Sequence, residues 1–195
     1  MLILTSDGLS SPSLRLRASA HLSGKRCALV TTASIGYKAL DRHVPRLKED
    51  LLACGVRDAV CFDFDEQSPD ELSSYDAALL IGGNPFYLLH SIRTHGYTEA
   101  LHTLSRSGTL MGVSAGTAVL TPSIGILAQY TPEMNQSVGL DDLAGLSLFP
   151  QEILPHYSKF LTRFEHFEER AQAYEHKNGV SLLRLNDGEA VFSRC

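Results

Sequence analysis

Short apolar runs, several rich in β-branched residues, recur along the first 113 residues with helical patterns between them, and that alternation limits what the chain can fold into. The runs are LILT (2–5), CALVTT (27–32), AVCFDF (59–64), AALLIGG (77–83) and GTLMGV (108–113). Residues 38–54 place Leu40, Val44, Leu47, Leu51 and Leu52 on one helical face, and Gly55 ends the run. Strands alternating with amphipathic helices predict βαβ units. The expected class is α/β, three-layered, with a mostly parallel central sheet and helices on both faces. After residue 121 the pattern weakens into irregular structure. A helix is expected at 160–176, and residues 179–192 read as a hairpin turning at Asn186-Asp187-Gly188 that adds C-terminal strands to the sheet edge.

The chain has 195 residues, enough for one sizeable core, and is read as a single domain over 1–195. Hydrophobic residues make up 44%, charged residues 20%, and the net charge is -5, which describes an ordinary soluble globular protein. No basic run points to nucleic acid, and no apolar stretch is long enough to span a bilayer, so neither is an expected partner. The opening MLILTSDG lacks a cationic flank and reads as a strand, not a signal peptide; the expected location is the cytoplasm. Cys27, Cys54, Cys61 and Cys195 show no C-x-x-C spacing, and they suit buried free thiols better than metal ligands or a disulfide framework. No metal or cofactor is expected.

In parallel sheets, catalytic and binding groups gather beyond the carboxyl ends of the strands. Three loops qualify: TTASIG (31–36), IGGNPFYLL (81–89) and GVSAG (112–116). The last is a G-x-S-x-G sequence at a strand-to-helix transition. That is the form of a nucleophile elbow, in which Ser114 projects into a cleft and the Ala115 N–H faces a developing oxyanion. The competing reading makes Ser114 a helix cap. In the second loop, Gly82 and Gly83 let backbone approach a ligand, and an N–H near Gly83 could complete an oxyanion hole. Asn84 would offer an amide to substrate, and Pro85 suits a first helical turn. A phosphate-binding loop competes weakly, since neither G-x-G-x-x-G nor a Walker lysine is present.

An elbow serine needs a base. Seven of the eight histidines, at 21, 43, 90, 95, 102, 166 and 176, lie among charged or polar neighbours, where solvation is the default. His156 follows Pro155 at the end of an apolar stretch. There it could serve Ser114 as base, or simply pack on Tyr157. Candidates for the acid that orients the imidazole are Asp187, Glu189, Asp141 and Asp142, with Asp187 also suited to an ordinary turn.

The segments IGGNPFYLL (81–89), GVSAGTAVL (112–120), LSLFPQEILPHYSKF (146–160) and LRLNDGEAV (183–191) together resemble the peptidase E family of serine dipeptidases, whose fold is similar to class I glutamine amidotransferases. The resemblance implies Ser114 as nucleophile, His156 as base, amides near Gly83 and Ala115 as the oxyanion hole, and metal-independent cleavage of dipeptides with N-terminal aspartate. It puts the acid on Asp187, where the family often has glutamate, with Glu189 in reserve. The arginine expected after the catalytic histidine falls on Phe167, leaving Arg163 and Arg170 as the nearby cations for a substrate carboxylate. Glu133 or Glu152 could hold the substrate amine. The short C-terminus leaves the cleft open or places a homodimer interface there.

The leading expectation is therefore a serine exopeptidase acting on short peptides. Two alternatives stand beside it. One is another hydrolase of the same architecture, cleaving a polymer such as cyanophycin or a simple ester or amide. The other is a non-catalytic sensor that keeps the elbow and binds a small ligand.

Overall fold

A computed structural model describes residues 1–194; Cys195 lies outside the described residues. Eight strands form: β1 (Leu2–Thr5), β2 (Arg26–Val30), β3 (Asp58–Phe62), β4 (Ala77–Leu80), β5 (Thr109–Val113), β6 (Ile153–Pro155), β7 (Leu183–Leu185) and β8 (Ala190–Ser193). Six of them make the main sheet in the order β3-β2-β4-β5-β1-β8. All its pairings are parallel except β1 with β8. The five apolar runs of the first 113 residues supply its parallel strands.

Alternation along the strands divides the core in two, as the period of a strand requires. Leu2, Leu4, Ala28, Val30, Ala78, Leu80 and Leu110 face one cluster, closed by Phe86, Leu89 and Ile92 of helix Pro85–Thr94 and Leu101 of helix Thr98–Ser107. Ile3, Cys27, Leu29, Ala77, Leu79 and Met111 face the other, under Ala18 and Leu22 of helix Pro12–Leu22 and Leu47 and Leu51 of helix Val44–Ala53. Helices thus cover both faces of a mostly parallel sheet, the architecture expected from the sequence. Burial pushes the Cys27 thiol up to about 12 and Cys54 to about 11, so both stay protonated, whereas Cys61 is only half-buried.

Three expectations need correction. The helix expected at 38–54 begins only at Val44, because Pro45 lacks an N–H and belongs in a first turn; Lys38–Leu40 form a separate 3-10 turn. Leu40 consequently lies 87% exposed, and Leu52, within the helix but beside the buried face of Val44, Leu47 and Leu51, is 53% exposed. The helix expected at 160–176 is two helices, Tyr157–Leu161 and Phe167–Asn178, with His166 between them in the left-handed conformation at φ 51°. The C-terminal segment supplies an edge strand, but β7 and β8 do not pair with each other as a hairpin. β8 lies antiparallel on β1, while β7 joins β6 in a separate parallel pair, so the chain turns at 186–188 to pass from one sheet to the other.

Candidate active site

Strand register brings the site together. Thr5 of β1 lies opposite Val113 of β5, and Leu80 of β4 opposite Gly112. Ser6-Asp7, Gly82-Gly83 and Ser114 therefore leave the sheet side by side, at the spacing of neighbouring strands.

Ser114 caps the short helix Ala115–Val119 with φ 51° and ψ -108°, a sparsely populated backbone region that costs about 1–3 kcal/mol for a residue with a side chain. Its surroundings enforce the bend. The Ser114 N–H donates to the Thr5 carbonyl at 3.1 Å, and the Ser114 carbonyl accepts from the Ala118 N–H at 2.9 Å. A Cβ at Gly116 would lie 2.1 Å from the Leu80 carbonyl oxygen, so the helix can leave the sheet this closely only with no side chain there. The half-buried Ser114 makes no side-chain cap bond to its own helix. Beside it, Gly83 has φ +145°, and a Cβ there would meet the Ala33 carbonyl oxygen at 2.2 Å. That carbonyl accepts the Asn84 N–H at 2.8 Å, pinning the loop.

His156 reaches the same place from the smaller sheet. Pro155 of β6 is the register partner of Leu185 of β7, so the residues that follow each, His156 and Asn186-Asp187, emerge together. His156 Nδ1 lies 2.5 Å from Asp187 Oδ1. An ionised carboxylate only accepts, so Nδ1 carries a proton, and in the neutral imidazole Nε2 is the nitrogen with the lone pair. Burial pushes the Asp187 carboxyl up, but the Ser6 hydroxyl and the adjacent imidazole outweigh it and hold Asp187 below its ordinary value. Ser114, His156, Asp187, Ser6 and Gly83 all line one cavity of about 410 Å³, with Arg42, Arg46 and Lys159 on its wall. Ser114, Ala115, Gly83 and His156 also border a second, more apolar hollow of about 200 Å³ walled by Leu127, Tyr130, Phe160 and Phe164.

Other candidates are placed elsewhere. Asn84 is the cap of helix Pro85–Thr94: its Oδ1 accepts the N–H groups of Phe86 and Tyr87, and its Nδ2 donates to the Met134 carbonyl, which commits the amide expected to meet substrate. Glu189 closes the 186–189 turn by accepting from the Asn186 N–H at 2.8 Å, and Asp142 pairs with Arg93. Arg163 borders the apolar hollow, its guanidinium 5.3 Å from the Phe164 ring centre. Arg170 does not join it; it stacks on Tyr130 at 4.8 Å and faces a different cavity with Ser123 and Tyr174. Phe167 is buried among Tyr130, Phe160 and Phe164. Glu152 is buried and accepts from the Tyr174 hydroxyl at 2.9 Å, which takes it out of contention for a substrate amine. Among the described residues no group of three or more His, Cys, Asp or Glu could hold a metal, and no helix is long and apolar enough to cross a membrane.

Reading the sequence for strand-ending loops missed Ser6. It lies at the end of β1, and the rule that nominated residues 81–89 and 112–116 applies equally to TSDG at 5–8.

Comparison with known proteins places the chain in a family. The sequence model of peptidase family S51 matches residues 2–194. An uncharacterized peptidase of Listeria monocytogenes is 25% identical over 99% of this chain and 94% of its own. One of Pasteurella multocida is 28% identical over 92 residues, 47% of this chain and 44% of the relative. Two solved structures share the fold. One is a protein from Listeria monocytogenes EGD-e provisionally described as a peptidase E, with TM-score 0.77, 24% identity and coverage of 99% and 93% of the two chains. The other is a peptidase from an acI-B1 Actinobacterium, with TM-score 0.73, 17% identity and coverage of 99% and 82%. With the family model spanning nearly the whole chain, the protein belongs to peptidase family S51.

Proposed function

We propose that the chain is a serine exopeptidase that hydrolyses dipeptides and other short peptides through an acyl-enzyme. The observation that carries this reading is the His156–Asp187 contact at 2.5 Å, which leaves Nε2 as a proton acceptor in the cavity that His156 shares with the strained Ser114. Ser114 Oγ attacks the scissile carbonyl carbon and gives its proton to His156 Nε2. The oxyanion forms against the N–H groups of Gly83 and Ala115; the latter opens a helix and so has no acceptor within it. His156 then protonates the leaving amine. Water attacks the acyl-enzyme by the same route in reverse.

Arg163 and Lys159 both border the hollow next to Ser114, and neither has a carboxylate within 4 Å among the described residues; we assign the substrate carboxylate to Arg163, whose planar fork can bind it bidentately. A guanidinium stacked on aromatic faces keeps its hydrogen-bonding edge free for such a ligand. An aspartate at the substrate N-terminus would place its side-chain carboxylate on this guanidinium.

The test is a panel of Xaa-Leu dipeptides assayed with the wild-type protein, Ser114→Ala and Arg163→Met. Hydrolysis abolished by Ser114→Ala is expected, together with a KM for Asp-Leu raised about tenfold in Arg163→Met at similar kcat. Undiminished turnover in Ser114→Ala overturns the proposal.

A further inference from the structure

Three consecutive residues at the end of β1 hydrogen-bond to Ser114, His156, Asp187 and Gly188. The Thr5 carbonyl accepts the Ser114 N–H at 3.1 Å. The Ser6 hydroxyl donates to Asp187 Oδ1 at 2.7 Å and accepts from the His156 backbone N–H at 2.8 Å. Asp7 Oδ1 accepts the Gly188 N–H at 2.9 Å. The central residue, Ser6, is fully buried, so its hydroxyl has no access to bulk water and its bonds go to these partners.

Proton counting fixes what this hydroxyl can do. A serine has one proton to give, and Ser6 gives it to Asp187. Its 3.3 Å approach to His156 Nδ1 is therefore not a donation, and Nδ1 keeps its own proton for the same Oδ1. One carboxylate oxygen thus receives two donors, one from the imidazole and one from a side chain rooted in the central sheet. The second bond acts on the backbone: His156 sits in the left-handed region at φ 57°, ψ 30°, a cost of about 1–2 kcal/mol for a residue with a Cβ, and the Ser6 oxygen holds its N–H there. Asp187 is 41% exposed, so without Ser6 water competes for Oδ1 and the carboxylate gains room to rotate.

We propose that Ser6 is a positioning residue. It ties the His156 backbone and the Asp187 carboxylate, both carried on the smaller sheet, to the central-sheet strand that also anchors Ser114, and so sets where the imidazole stands in the cavity it shares with Ser114. This inference rests on the serine-peptidase reading.

The experiment is steady-state kinetics of Ser6→Ala and Ser6→Cys across pH, with a double-mutant cycle against Asp187→Asn. Removing the hydroxyl is expected to lower kcat about 10- to 100-fold, the usual scale for sub-ångström misplacement, with KM within about threefold. The acid limb of kcat/KM is expected to move, because Oδ1 loses one of the two donors that fix it against the imidazole. A residue that only fills space leaves that limb unmoved. Cysteine restores the volume but donates weakly, so Ser6→Cys is expected to match alanine; recovery of wild-type kcat by cysteine overturns the proposal. In the Asp187→Asn background Ser6→Ala is expected to cost less than it does in the wild type, because only the bond to the His156 N–H remains to be lost in full, and an undiminished independent loss overturns it. Should Ser114-dependent hydrolysis persist while Ser6→Ala matches wild type in kcat and pH profile, this inference fails alone. Should hydrolysis not depend on Ser114, the serine-peptidase reading fails with it.

Discussion

His156 and Asp187, 31 residues apart in sequence, meet at 2.5 Å because Pro155 and Leu185 are partners in a three-residue parallel ladder. Their contact depends on β6 and β7, outside the main sheet, whereas Ser114 depends on β5 within it. The site is a junction between two sheets.

On the smaller sheet, Asp187→Asn keeps the shape of the side chain and removes the charge. The amide can donate to Nδ1 and so favours the wrong tautomer. We expect kcat to fall about 10³-fold with KM nearly unchanged, measured on the best dipeptide of the panel. A loss under about tenfold transfers the orienting role away from Asp187.

On the main sheet, Gly116→Ala tests the elbow. In an ordinary helix interior this change is stabilising by about 1 kcal/mol. Here the new Cβ would lie 2.1 Å from the Leu80 carbonyl oxygen, so the sign reverses, and we expect a loss of about 2–3 kcal/mol in denaturant unfolding. Neutral or increased stability would mean that the helix does not pass so close to β4.

These two sites differ in how legible they were. The elbow could be read from GVSAG because its geometry is local: five residues at the end of a buried strand fix the bend. Asp187 could only be nominated among four acids, because its partner is chosen by the register of β6 on β7, and three apolar residues do not reveal which strand they join. The same short runs invited a hairpin where the chain in fact crosses between sheets. Asn84 is ambiguous in sequence for a related reason: an asparagine before Pro85 is as good a helix cap as a ligand, and the first-turn N–H groups of Phe86 and Tyr87 bond to it. Leu40 continues the helical period outside the helix, since Pro45 starts it later than the pattern does, and Leu52 lies one residue past Leu51, off the buried face.

Support for β7 comes from Arg184, whose Nη2 lies 2.7 Å from Glu168 Oε1 and 2.9 Å from Glu175 Oε2 on helix Phe167–Asn178. The guanidinium holds both carboxyls below their ordinary range, against the opposing effect of burial. Groups with depressed folded values stabilise the protein above their unfolded value of about 4.3 and lose that contribution as pH falls through the folded ones. Arg184→Met is therefore expected to cost about 1–2 kcal/mol near pH 7, a penalty that shrinks below about pH 4. Thermal melts at pH 7, 5 and 3 check this, and a penalty independent of pH contradicts it.

Covalent capture of the nucleophile tests the central claim most directly: treat the wild-type protein, Ser114→Ala and His156→Ala with a fluorophosphonate, then follow the adduct by intact mass and peptide mapping. One adduct on Ser114 is expected, absent in Ser114→Ala and formed at least about 10³-fold more slowly in His156→Ala. No adduct, an adduct on another residue, or labelling of His156→Ala within about tenfold of the wild-type rate would contradict the account.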